Sequence, residues 1–173
     1  QPASPWLSLG HPSITAGATV SLLLGSQITV TYAGTLSDIH RVGDVVETTN
    51  LGVSTGLFRI LSFLPGNILV LDGSPSAATL VFIYSGGIEL RNLTLNMTAN
   101  ATGWSLIGAH ACYGALVENI LCTGTFTSAV LSPAALKMSG CRSSVVKNVE
   151  VSSMLGALAS TFGISLLVGK FNT

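Results

Sequence analysis

Apolar and polar positions alternate with a period of two along most of the chain, and that alternation predicts short strands. From residue 86 onward no window carries an apolar stripe at helical spacing backed by helix formers, so helices are not expected there. Three stretches make the pattern clearest: "ELRNLTL" (89–95), "LVENILC" (116–122) and "VVKNVEV" (145–151). Their asparagines fall at Asn92, Asn119 and Asn148, spaced by 27 and 29 residues. The apolar positions align with them: Leu90, Val117 and Val146 before the Asn, then Leu93, Ile120 and Val149 after it.

A second phrase recurs between these. "SLIGAHAC" (105–112), "ALKMSGC" (135–141) and "GISLLVG" (163–169) align Ile107 with Leu136 and Ile164, and Cys112 with Cys141 and Gly169. Each unit is therefore two short strands joined by turns rich in Gly, Ser, Asn and Thr. Units of this length built only from strands predict a parallel β-helix, in which every turn of the coil stacks on the one before. Stacking explains the repetition, because each residue must tolerate an equivalent neighbour above and below.

Asn92, Asn119 and Asn148 read as an asparagine ladder at one corner of this coil. An inward-turned amide can donate in one direction and accept in the other. The residues just before them, Arg91, Glu118 and Lys147, line up plus, minus, plus, as a surface ion ladder. Cys112 and Cys141 belong to the same stacked framework. The phrase that Gly169 opens is not completed before Thr173, so the chain is expected to be a fragment of something longer.

The first half reads differently. Residues 1–18 resemble a linker or arm, with no basic region followed by an apolar run. Residues 19–85 hold two strands around Gly25-Ser26, a turn into a strand at 42–46, and a hairpin turn at Leu64-Pro65-Gly66-Asn67. They predict a small antiparallel β-unit together with the first strand or strands of the solenoid, whose turns then run over 86–173. The alternation is thus that of an all-β chain.

Composition sharpens the picture. Only 8% of the 173 residues are charged, against about 25% in an ordinary soluble domain. Seven basic and seven acidic residues cancel. Nucleic acid as a partner is disfavoured, since phosphate contacts need clustered Lys and Arg. So low a charge on so apolar a chain points to surface covered by other copies of the chain or by a larger assembly. The stretch 152–169 is uncharged, but Ser, Thr and Gly interrupt it and part of it fits the repeat, so no membrane span is expected. Cys112, Cys122 and Cys141 have no metal-ligand spacing and read as buried free thiols; no metal or cofactor is expected. The Asn-x-Thr patterns at Asn92, Asn96 and Asn100 read as turn composition rather than glycan acceptors.

The run "RVGDVVE…GLFRILSFLPGNILVLD…GGIELRNLTL" resembles the front of pectate-lyase-like right-handed β-helices of bacteriophage tailspikes and tail fibres. The resemblance covers most of residues 28–169. It implies a right-handed coil preceded by a small inserted β-unit, homotrimeric assembly in the virion tail beside other tail proteins, and host surface polysaccharide as ligand. Members of that family often cleave the polysaccharide. A polysaccharide lyase or glycoside hydrolase on the same fold is therefore an alternative reading. A secreted or cell-surface bacterial adhesin with a β-helical stalk is another.

Cleavage of a polysaccharide would fall to the acids. Hydrolysis needs two carboxyl groups about 5 to 9.5 Å apart. The candidates are Asp38, Asp44, Glu47, Asp72, Glu89, Glu118 and Glu150. Asp44 and Asp72 sit in turn phrases, Glu118 belongs to the ion ladder, and Glu150 aligns with Thr94 and Leu121. No stacked pair emerges, and no catalytic residue is assigned. Trp104, Tyr113 and His110 are the side chains placed to contact a sugar on the flank of the coil; the competing role for each is packing in a turn.

Overall fold

The computed structural model describes residues 7–10, 18–97, 105–126, 134–156 and 162–167. Their regular structure is strand, apart from one short 3-10 turn at Leu36–Asp38. The protein is all-β. It falls into two compact units, His11–Gly87 and Ile88–Thr173, the second also taking in the strand β1 (Leu7–Leu9).

The His11–Gly87 unit contains β2 (Ala18–Leu24), β3 (Gln27–Thr31), β4 (Val45–Asn50), β5 (Val53–Leu64), β6 (Ile68–Leu71) and β7 (Leu80–Gly86). The pairings run β7-β2-β3-β6-β5-β4 and close through β4 to β7, all antiparallel. A closed ring leaves neither edge among these six strands unpaired, which removes a route to edge-to-edge aggregation. Period-two alternation then fills the interior: Ile28 and Val30 from β3, Leu69 and Leu71 from β6, Val81 and Ile83 from β7, with Val46 and Ile60. Leu36, on the 3-10 turn, packs into the same core. The β5–β6 hairpin turns at Pro65-Gly66-Asn67, with Gly66 and Asn67 both at positive φ. Asn67 does a second job. Its Oδ1 accepts from Leu36 N–H at 2.9 Å and its Nδ2 donates to Gly34 O at 2.8 Å, pinning the 3-10 turn.

The Ile88–Thr173 unit contains β8 (Glu89–Met97), β9 (Ser105–His110), β10 (Cys112–Tyr113), β11 (Leu116–Phe126), β12 (Ala134–Ser139), β13 (Val145–Gly156) and β14 (Phe162–Leu167). Two parallel sheets result, β8-β11-β13 and β1-β9-β12-β14, and the chain passes from one to the other in turn. Their registers follow the repeat: Val117 pairs with Leu90 and Val146, and Leu136 with Ile107 and Ile164. Leu95, Ile107, Val117, Ile120, Leu136 and Met138 are buried together with the cysteines.

Strict alternation would put Val117 and Ile120 on opposite faces, yet both are buried. The left-handed residue between them resolves this. Asn92, Asn119 and Asn148 all have φ between 52 and 55°, a region that Asn tolerates better than most side chains. Each resets the phase of its strand, so that two successive side chains point outward before the apolar face resumes. The expected inward ladder is therefore corrected: the asparagine side chains are exposed, and Asn119 Nδ2 donates to Asn92 Oδ1 while Asn148 Nδ2 donates to Asn119 Oδ1, each at 2.9 Å.

Leu7–Leu9 lies within the segment expected to be an arm, and is a strand in parallel register with β9. Three residues among prolines carry too little periodicity to announce this.

Candidate functional site

Two groups of residues carry chemistry. The first is the outer side of the parallel unit. In β9, Ile107 and Ala109 are buried, so His110 faces away from the core and is half-buried. After it the chain turns at Ala111, φ 45°, and again at Gly114, φ 68°. One unit later the turn recurs at Gly140, φ 63°, and Ser143, φ 48°. Cys112 and Cys141 are buried between these kinks, while Tyr113 and Arg142 follow them and form a parallel bridge. Ser144, buried, ties the two turns: its hydroxyl accepts from Ala115 N–H at 3.2 Å and donates to Arg142 O at 3.1 Å. Burial, and behind it the positive charge of Lys137, hold His110 below the usual histidine range. His110 is thus a neutral imidazole near pH 7, able to donate from one nitrogen and accept at the other. The structure brings His110 and Tyr113 to one turn. Trp104, Asn100 and Gly169 lie outside the described residues.

Arg91, Glu118 and Lys147 stand in register on the neighbouring sheet. Lys147 Nζ lies 2.7 Å from Glu118 Oε1, Arg91 Nη1 is 3.7 Å from Glu118 Oε2, and Arg91 Nε is 3.2 Å from Glu89 Oε2. Glu118 is thereby held between two cations. Glu150 pairs in register with Leu121, which pairs with Thr94, so no acid stands beside it there.

The second group is in the antiparallel unit. The "VGD" phrase is a turn with Gly43 at φ 94° and Asp44 buried. Asp44 Oδ2 lies 3.1 Å from His40 Nδ1 and accepts from Arg41 N–H at 3.2 Å, while Oδ1 accepts from Gly86 N–H at 3.0 Å. Burial by itself would raise this carboxyl. The bonds from His40, Gly86 and Arg41 outweigh it, and the pKa lies below the ordinary aspartate value. Three residues on, Glu47 is buried on β4 and its Oε2 accepts the Tyr84 hydroxyl at 3.0 Å. These two carboxylates are only 1% and 3% exposed. Each spends its lone pairs on holding backbone or a neighbouring strand, and neither is open to a polymer substrate. Sequence reasoning assigns His40 no role, and its position four residues before Asp44 is the signal that could have found the pair.

The antiparallel unit also carries a shallow cavity of about 280 Å³, lined by Thr35, Ser37, Phe63, Leu64, Pro65, Gly66 and Asn67. It falls just below the range of about 300 to 1,000 Å³ usual for ligand pockets. Among the described residues no group of three or more metal-ligating side chains occurs, and no helix is long and apolar enough to cross a membrane.

No family model matches the chain, and no curated protein matches it by sequence. Among solved structures, the tailspike protein gp49 from Pseudomonas phage LKA1 is similar at 14% identity and a TM-score of 0.45. That similarity covers 94% of this chain and 28% of the tailspike chain, so this chain spans little more than a quarter of that protein's length.

Proposed function

We propose that the protein is a structural and host-receptor-binding part of a phage tailspike or tail fibre, built on a right-handed parallel β-helix and assembled as a homotrimer in the virion tail. In this reading residues 86–173 are turns of the coil, joined by Leu7–Leu9, and residues 19–85 are the inserted β-unit. The observation that carries it is the turn-on-turn register: asparagine to asparagine, and acid between two cations, at spacings of 27 and 29 residues. A rigid coil of that kind suits a fibre, because each turn is braced by its neighbours. The "VGD" and hairpin phrases support the phage context. Leu51, Val53 and Leu24, at 89%, 68% and 67% exposed in the single chain, support a surface that meets other copies.

Host surface polysaccharide is the proposed ligand, with His110 and Tyr113 contacting sugar from the flank of the coil. Binding is favoured over cleavage because Asp44, Glu47 and Glu118 are all committed to structure. Fold alone does not decide between them. The test is the solution mass of the full-length protein by light scattering, with the same preparation assayed for binding and shortening of host polysaccharide. A trimer that binds the polymer and leaves its length unchanged supports the proposal. A trimer that shortens it establishes the enzymatic reading instead, and a monomer removes the tail-fibre reading.

A further inference from the structure

We propose that Cys112 and Cys141 form a reversible disulfide that locks one turn of the parallel unit to the next. The two cysteines occupy equivalent places in consecutive turns. Ala111 N–H donates to Ser139 O at 2.9 Å and Arg142 N–H donates to Cys112 O at 2.8 Å, so backbone bonds bracket the pair on both sides. Neighbouring parallel strands stand about 4.8 Å apart, within the span of about 4.4 to 6.8 Å that disulfides bridge between Cα atoms. Both side chains are wholly buried.

The Cys112 sulfur is also confined. It lies 3.4 Å from His110 O and 3.8 Å from Leu9 O. On that side stands Gly10, where an added Cβ would come within 2.7 Å of the sulfur. Gly10, with no Cβ, leaves that space to it, while the Cys141 sulfur reaches back to the turn that carries Cys112, 3.5 Å from Ala109 O. A hydrogen bond from the Cys112 side chain, working against burial, draws the Cys141 thiol down to about 7. A share of it is therefore thiolate at neutral pH, the form that attacks a disulfide. Cys122 is the internal contrast. Its register partners are Leu95 and Val151, and burial pushes its thiol up.

With glutathione disulfide as oxidant, one cysteine thiolate attacks a glutathione sulfur and releases one glutathione thiolate. The second cysteine thiolate then attacks the protein sulfur of that mixed disulfide and releases the other. Two S–H bonds are lost, one S–S bond forms, and glutathione disulfide is reduced to two thiols. Because both sulfurs are buried, exchange waits on local opening of the turn.

The test is to incubate the full-length protein with glutathione disulfide, both natively and during refolding. Remaining thiols are blocked with N-ethylmaleimide in denaturant, and the digest is read by mass spectrometry. The expected product joins the Cys112 and Cys141 peptides and leaves Cys122 alkylated. It melts at a higher temperature than the reduced protein and returns to the lower value with dithiothreitol. Three alkylated cysteines under both regimes would overturn the proposal, as would any cross-link that includes Cys122.

Discussion

The Asp44 carboxylate stands 3.1 Å from the His40 imidazole inside the turn that leads into β4, and the same carboxylate takes the Gly86 N–H at the end of β7. One buried side chain thereby joins a tight turn to a strand 42 residues away in sequence. Asp44→Asn keeps the shape but removes the charge that these donors share. It should cost about 2 to 4 kcal/mol, the range for breaking a buried charged network. Urea unfolding at pH 7 measures it. Because the folded pKa is depressed, Asp44 contributes its stability above the unfolded value of about 3.9 and loses it as pH falls through the folded value. The gap between wild type and Asp44→Asn should therefore narrow below pH 4. A gap that stays constant to pH 2 would mean that the carboxylate's charge is not what holds the turn.

The asparagine ladder makes a graded prediction. Asn119 both donates and accepts along the ladder, while Asn92 and Asn148 make one described ladder bond each. Asn119→Ala loses two exposed hydrogen bonds and places a Cβ with no compensating amide at φ 55°. A loss of about 2 kcal/mol is expected. Asn119→Gly loses the same bonds but relaxes the backbone, so it should be the milder change. Asn92→Ala and Asn148→Ala should fall below Asn119→Ala in cost. Equal effects from all four variants, in denaturant unfolding, would separate the ladder from stability.

Glu118 lies between Lys147 and Arg91, whose side chains are 52% and 47% exposed. Solvent screens such pairs, so Glu118→Gln should cost less than about 1 kcal/mol. The cost should shrink further when unfolding is repeated at high salt. Under the proposed function, polysaccharide binding should be unchanged, because Lys147 and Arg91 already engage the carboxylate. A large loss of binding with intact stability would instead place Glu118 in the ligand site.

Much of the parallel unit could be read from the chain because stacking imposes sameness. Val117 must fit Leu90 on one side and Val146 on the other, so the register is written into the repeat itself. The β5–β6 turn was legible for a local reason, since Pro65, Gly66 and Asn67 each suit a bend. Longer-range relations were not. That β7 pairs with both β2 and β4 depends on contacts far apart in sequence, with no local signal. The outward aim of Asn119 follows from a positive φ that suspends alternation, and counting by twos does not reveal it. His40 acquires its role only once Asp44 is folded beside it and Gly86 N–H holds that carboxylate from the other oxygen. Of the residues proposed to contact sugar, alternation places His110 on the outer side, while Tyr113 follows a kink at Ala111 that alternation does not foresee.

Gly10 tests the least legible element. It follows β1 at φ 75°, and a Cβ there would collide with His110 O and stand 2.7 Å from Cys112 Sγ. The first of these is backbone in a parallel sheet and cannot move without disturbing β9. Gly10→Ala should therefore cost about 2 to 4 kcal/mol, combining overpacking with an unfavourable backbone region. If residues 1–18 were only a linker, the same substitution would be neutral in thermal and denaturant unfolding. Gly25→Ala is the control. Gly25 has a similar φ of 59° and nothing within 4 Å of the added carbon, so it should show the backbone cost alone, about 1 kcal/mol. A Gly10→Ala cost no larger than that of Gly25→Ala would detach Leu7–Leu9 from β9 and return the segment to the role of an arm.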